Sequence, residues 1–191
     1  MAPVGRPASL GRGARDRIVA AAAELFARQG FNATSINELH AAARVSKRTL
    51  YQHFASKDEL ILAYLTAYAR TGATETVLSR EDLAPRTRLL EVFTALADPS
   101  STRPDPILAA TVEFPDPEHP LHRAAAEHAE RFSSRLSALA RAAGARDPER
   151  TARRLVTLYA GACCRALLED VAAVVDEVYM MAAAILRDAI D

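Results

Sequence analysis

The chain has almost no cysteine, no long apolar run and no recognisable catalytic motif, and each lack removes a class of protein. Its only cysteines, Cys163 and Cys164, are adjacent in an apolar stretch. Neighbours on one helix diverge too far to bridge each other without distortion, so a disulfide framework is excluded and a reducing cytoplasm fits. A membrane span needs roughly 18 apolar residues, and the longest uncharged runs, such as Leu155–Cys164, reach about half that. The N-terminal residues carry arginine and proline without the apolar core of a signal peptide. A soluble, cytoplasmic protein without membrane contact is expected. No glycine-rich phosphate loop, no paired Cys/His spacing and no nucleophile beside a recognisable base is found, so neither catalysis nor a cofactor is expected.

What is present is helical. Half of the 191 residues are apolar, enough to bury a substantial core. No segment alternates convincingly as a strand, and no internal repeat is found. Residues 1–13, rich in Pro, Gly and Arg, read as a flexible basic arm. Ile18, Ala22, Leu25 and Phe26 then form one helical stripe, closed by Gly30 with Phe31 folding back on the last turn. Ser35 and Glu38 make a capping box for a second helix, which buries Ile36, Leu39 and Ala43. After a break at Arg44-Val45, Ser46 caps a short third helix through Phe54, with Leu50 and Phe54 facing inward beside Val45. Ser56 and Glu59 make another capping box, opening a fourth helix to about Thr71.

Further helices are expected at about 82–97, 106–114, 119–143, 147–168 and 170–188. Pro85 falls near a first turn, and Pro115, Pro117 and Pro120 force a bend. Gly144 followed by Asp147-Pro148 stops one helix and caps the next. Val171, Val174, Val175 and Val178 are β-branched, but their spacing is helical.

The formal net charge of zero conceals an asymmetry. Residues 1–60 hold nine basic residues against five acids, a net +4 that leaves −4 for the remainder. A basic head on an acidic body suits a module that meets phosphates. Two short helices around a three- or four-residue turn, the second capped by Ser46, form a helix-turn-helix candidate. With Leu50 and Phe54 inside, the outer face offers Lys47, Arg48, Thr49, Gln52 and His53, with Tyr51 at its margin. Arg48 and Gln52 suit base edges; Lys47, Tyr51, His53 and Lys57 suit phosphates, joined by Thr34 or Ser35 at a helix N-terminus. The alternative is an ordinary solvated polar face.

The run from Arg17 to Leu60 resembles the N-terminal domain of the TetR family of bacterial regulators. The landmarks are Leu25-Phe26, Gly30-Phe31, Thr34-Ser35-Ile36, Val45-Ser46, Leu50-Tyr51, His53-Phe54 and Ser56-Lys57. The resemblance implies an all-α protein: a three-helix DNA-binding domain (14–58) and a larger helical domain (59–191) for effector binding and dimerisation. It also implies a homodimer, often a repressor, that reads palindromic double-stranded operator DNA and leaves it when a small molecule binds. The alternative is a helical small-molecule-binding protein that does not use its helix-turn-helix. One departure stands in the turn, where Arg44 replaces the glycine frequent in the family. Either the turn differs, or Arg44 offsets strained backbone with a phosphate contact.

In the body, Leu155, Leu158 and Ala162 on one helix, with Val171, Val174, Val175, Val178, Met181 and Ile185 on the next, suit a four-helix dimer interface, as the resemblance implies. Alternatively both stripes pack inside one chain. An effector cavity is expected among Phe93, Phe114, Phe132 and Tyr159, with Thr111 or His128 as polar handles. His119 and His122, near Glu113, Asp116 and Glu118, have a capping explanation, and no metal site is expected there.

Overall fold

A computed structural model describes residues 13–98 and 105–190, so the basic arm expected over 1–13 lies, apart from Gly13, outside the described residues. Among the described residues all regular structure is helical, and the chain divides into two compact units, residues 1–64 and 65–191.

In the first unit, α1 (Ala14–Gln29) turns Ile18, Ala22, Leu25 and Phe26 inward. Gly30, at φ 84°, ends it and its N–H donates to the Phe26 carbonyl. That left-handed residue swings Phe31 back, so its ring lies 5.0 Å from that of Phe26. Ser35 caps α2 (Ile36–Ala42) with the full capping box, and Ser46 caps α3 (Lys47–His53) by accepting from the Thr49 N–H. The fourth helix, α4 (Lys57–Thr71), starts on a box shifted by one residue: Ser56 accepts from the Glu59 N–H, while Glu59 accepts from the Ala55 N–H. Leu60, Ile61 and Tyr64 are buried, and the Tyr64 ring completes a triad with Phe26 and Phe31. The unit therefore runs to Tyr64, beyond the boundary at residue 58 expected from sequence: the first two turns of α4 belong to its core.

The second unit comprises the rest of α4, then α5 (Ala73–Leu78), α6 (Pro85–Thr94) with a 3-10 turn (Ala95–Ala97), α7 (Pro106–Glu113), α8 (Pro120–Ala142), α9 (Pro148–Arg165) and α10 (Val171–Ile190). α6, α7, α8 and α9 all open with proline at the first position, where no backbone donor is lost. Asp105, His119 and Asp147 cap the last three of these. The core is an apolar layer from α6, α8, α9 and α10, centred on Leu89, Phe93, Leu136, Leu155 and Val174. α5 has no counterpart in the expected helices; with six residues and one fully buried side chain, Leu78, it has too little periodicity to be read.

Packing within the single chain divides the residues expected at a dimer interface. Leu155, Ala162, Val174, Val175 and Val178 are buried within the single chain, while Leu158, Val171 and Ile185 are half-buried and Met181 is exposed. Apolar spacing marks a face that must be covered; α6, α8 and the facing terminal helix do the covering.

Candidate nucleic-acid interface and ligand cavity

The turn between α2 and α3 has a specific geometry. The Arg44 N–H donates to Ala41 at 3.1 Å and the Val45 N–H to His40 at 3.0 Å, the paired bonds of a Schellman motif. The motif requires a left-handed residue, and Arg44 supplies it at φ 53°. The same motif closes α8, where Gly144 takes the left-handed position at φ 88°. Where α8 uses glycine, the α2–α3 turn accepts a side chain, at about 1 kcal/mol of backbone strain. The Arg44 side chain is exposed.

Beyond the turn, Ser46 and Thr49 share a 2.8 Å hydroxyl contact that stiffens the start of α3. Leu50 and Phe54 are fully buried, and the Arg15 guanidinium covers the Phe54 ring at 5.1 Å. Locking that side leaves Lys47, Arg48, Tyr51, Gln52 and His53 exposed, with Thr49 half-buried. Positions 47, 48, 51 and 52 share one face, a donor-rich surface on a helix of major-groove width.

Two residues expected at phosphates are occupied inside the head. Thr34 is buried, its hydroxyl donating to the Gly30 carbonyl at 2.7 Å. The Lys57 ammonium donates to the carbonyls of Phe31, Asn32 and Thr34 at 3.1 to 3.4 Å, tying the α1–α2 loop to the start of α4. The Thr34 hydroxyl thus satisfies a carbonyl four residues back, and the Lys57 ammonium satisfies loop carbonyls that only the fold brings to it. Ser35 stays at the surface, but its hydroxyl is engaged with Glu38. Hydrogen bonds from the Ser35 backbone, then from the Ser35 hydroxyl and Gln29, hold the Glu38 carboxyl down to about 2.

In the second unit a cavity of about 70 Å³ is walled in part by His128, Phe132 and Tyr159, three of the six residues expected there. The other three lie elsewhere. Phe93 is core behind Tyr159, Thr111 bonds the Leu108 carbonyl, and Phe114 stacks on His119 at 4.9 Å. His119 also caps α8, and His122 pairs with the Phe114 carbonyl at 2.8 Å. Burial pushes the His128 imidazole below its ordinary value, and burial raises the Tyr159 phenol well above its own.

The residue missed from sequence is Asp105. It is buried, and one carboxylate oxygen accepts from the Ile107 and Leu108 N–H groups. The other accepts from Tyr68 at 2.8 Å and Tyr159 at 3.3 Å. Asp-Pro before a helix reads as an ordinary cap; the two phenols, 37 and 54 residues away, come to it only through the fold. Asp105 and Leu108 also line a second, mostly apolar cavity of about 300 Å³ with Val112, Glu113, Cys164 and Leu167.

Residues 18–64 match the model of the family described as bacterial regulatory proteins, tetR family. The chain is 39% identical over 56 residues to the HTH-type transcriptional regulator TcmR of Streptomyces glaucescens, covering 29% of this chain and 25% of that protein. It is 31% identical over 142 residues to the uncharacterized HTH-type transcriptional regulator Rv1255c of Mycobacterium tuberculosis, covering 74% of this chain and 68% of that one. The chain spans about a quarter of the length of TcmR and of the next curated relatives it matches. Among solved structures, SCO4454, a TetR-family transcriptional regulator from Streptomyces coelicolor, superposes with a TM-score of 0.83 at 32% identity, over 93% of this chain and 90% of that one.

Proposed function

The chain belongs to the TetR family of bacterial regulatory proteins, and from that premise we propose that it is a ligand-responsive transcriptional repressor. On this reading it binds a palindromic operator as a homodimer. The observation that carries the proposal is α3: Leu50 and Phe54 lock one side into the head, and Lys47, Arg48, Tyr51 and Gln52 stand together on the other. Arg48 and Gln52 read base edges, while Lys47, Tyr51 and His53 position the helix on phosphates, with Arg44 reaching the backbone from the turn.

A palindrome requires two recognition helices about 34 Å apart, hence two chains. The outer surface of α9 and α10 supports the pairing. Leu158, Met181 and Ile185 line a groove with Arg150, Arg153 and Arg154, and the acids Asp176 and Glu177 lie toward the other end of α10. The Arg165–Glu177 ion pair, at 2.6 Å, links the end of α9 to the first half of α10. A two-fold axis across this face sets Leu158, Met181 and Ile185 of one protomer against the same residues of its partner.

The second unit binds the effector in the cavity beside Asp105. Tyr68 of α4 hydrogen-bonds that carboxylate. No helix among the described residues is long and apolar enough to cross a membrane. Gel-shift titration against the promoter region of the chain's own operon tests the reading. A specific, strongly salt-dependent complex is expected; absence of any specific complex at low salt overturns it.

A further inference from the structure

The electrostatics of the two cavities are one-sided. Their walls carry the carboxylates of Asp105 and Glu113, and no lysine or arginine among the described residues lines either one. This is notable in a chain with 24 basic residues. Asp105 is buried with four donors, the Ile107 and Leu108 N–H groups and the Tyr68 and Tyr159 hydroxyls, all of them neutral. These donors solvate the carboxylate but leave its charge uncompensated by any ion pair among the described residues. The rings of Phe132 and Tyr159, 5.2 Å apart by centroid, add the negative faces of two π systems to the same wall. Against the opposing pull of Asp105, burial pushes the His128 imidazole below its ordinary value and favours the neutral ring, an acceptor without positive charge.

A buried anion edged by aromatic rings attracts a cation that sheds its water, and repels an anion. The smaller cavity is too confined for a drug-sized molecule, which needs about 300 Å³ or more. The larger one meets that size as an open groove, lined by Leu108 and Ala109 with Val112 and Leu167 exposed at its rim, and it shares Asp105 and Leu108 with the smaller. We infer that the effector is a cationic amphiphile, an organic amine or quaternary ammonium compound, with its charged head at Asp105 and its apolar body against Leu108, Val112 and Leu167. This assignment rests on the reading that the Asp105 cavity is the effector site.

The test uses the full chain and three matched probes in isothermal titration calorimetry: 4-phenylbutylamine, which is protonated at neutral pH, neutral 4-phenylbutanol and anionic 4-phenylbutanoate. The amine is expected to bind at least about tenfold more tightly than the alcohol, and the carboxylate more weakly than either. Asp105→Asn should erase the amine's advantage while the alcohol still binds, which also reports that the cavity is folded. If Asp105→Asn does not fold, the probe series on the unaltered chain decides alone. Equal binding of amine and alcohol, both abolished by Leu108→Asp, overturns the cationic class and leaves the effector site standing. No saturable binding by any probe overturns both.

Discussion

The Tyr68 hydroxyl, near the end of α4, donates a 2.8 Å hydrogen bond to the Asp105 carboxylate that caps α7. A bond from a phenol to a partly buried charged acceptor contributes about 1.5–3 kcal/mol where water is excluded. Tyr68→Phe keeps the ring and removes only the donor. It should lower the stability measured by urea denaturation by about 1–2 kcal/mol, without changing DNA affinity in the absence of effector. No loss of stability would mean that water replaces the phenol at no cost.

Arg44 occupies a left-handed position that glycine takes at the end of α8. Arg44→Gly relieves side-chain strain but adds freedom to the unfolded chain, so net stability should change by less than about 1 kcal/mol. Operator binding should weaken, and the slope of log K against log salt should become shallower by about one, if the guanidinium reaches a phosphate. Unchanged affinity with an unchanged slope removes Arg44 from the interface.

On α3, Arg48→Ala and Gln52→Ala should each cost about 1–3 kcal/mol at the operator and relax the preference for bases at one position. Lys47→Ala should weaken specific and non-specific DNA alike. Thr34→Val and Lys57→Met serve as contrasts, because their polar groups serve carbonyls in the head. Their effect should appear in the melting temperature, with the salt slope retained. Competition gel shifts over a range of salt concentrations separate the two patterns.

Leu155 and Met181 were expected to share one interface, yet Leu155 is fully buried inside the chain and Met181 is 47% exposed. Leu155→Ala should destabilise the fold by about 2–5 kcal/mol through the cavity it leaves. Met181→Asp should leave a folded chain whose sedimentation equilibrium shifts from dimer toward monomer. A dimer untouched by Met181→Asp argues that the α9–α10 face is not where the copies meet.

Glu38 is the clearest acid-sensitive group in the head. Its carboxyl titrates at about 2 when folded, against an ordinary value of 4.5, because Ser35 and Gln29 hydrogen-bond its charged form. The folded state therefore binds the proton less readily than the unfolded one. The stabilisation is complete above pH 4.5 and fades as pH falls toward about 2. Glu38→Gln should flatten that acid limb in a pH series of thermal melts. A limb of unchanged steepness assigns it to other carboxylates.

The head was legible in its sequence because its devices are local. Gly30 with Phe31, Ser35 with Glu38 and Ser46 with Thr49 act within four residues, and helical periodicity identified Leu39, Leu50 and Phe54 as inward-facing. The inward assignments of Ile36 and Val45 were legible only in part, since both sit half-exposed at the edge of that core. In the body, the long helices and their proline starts were equally plain, for the same reason.

The sequence alone determined a chain built of helices, a short third helix with one apolar side, and a polar opposite side rich in donors. Short-range hydrogen bonds and the 3.6-residue period carry all of that. Only the tertiary structure decided that Thr34 is buried, that the Lys57 ammonium is held by the α1–α2 loop, and that five of the nine expected interface residues are core. It alone brought Asp105 to two phenols far along the chain. Periodicity says that a face must be buried and a polar group satisfied; which neighbour does so depends on contacts between distant segments, and these exist only once the helices have packed.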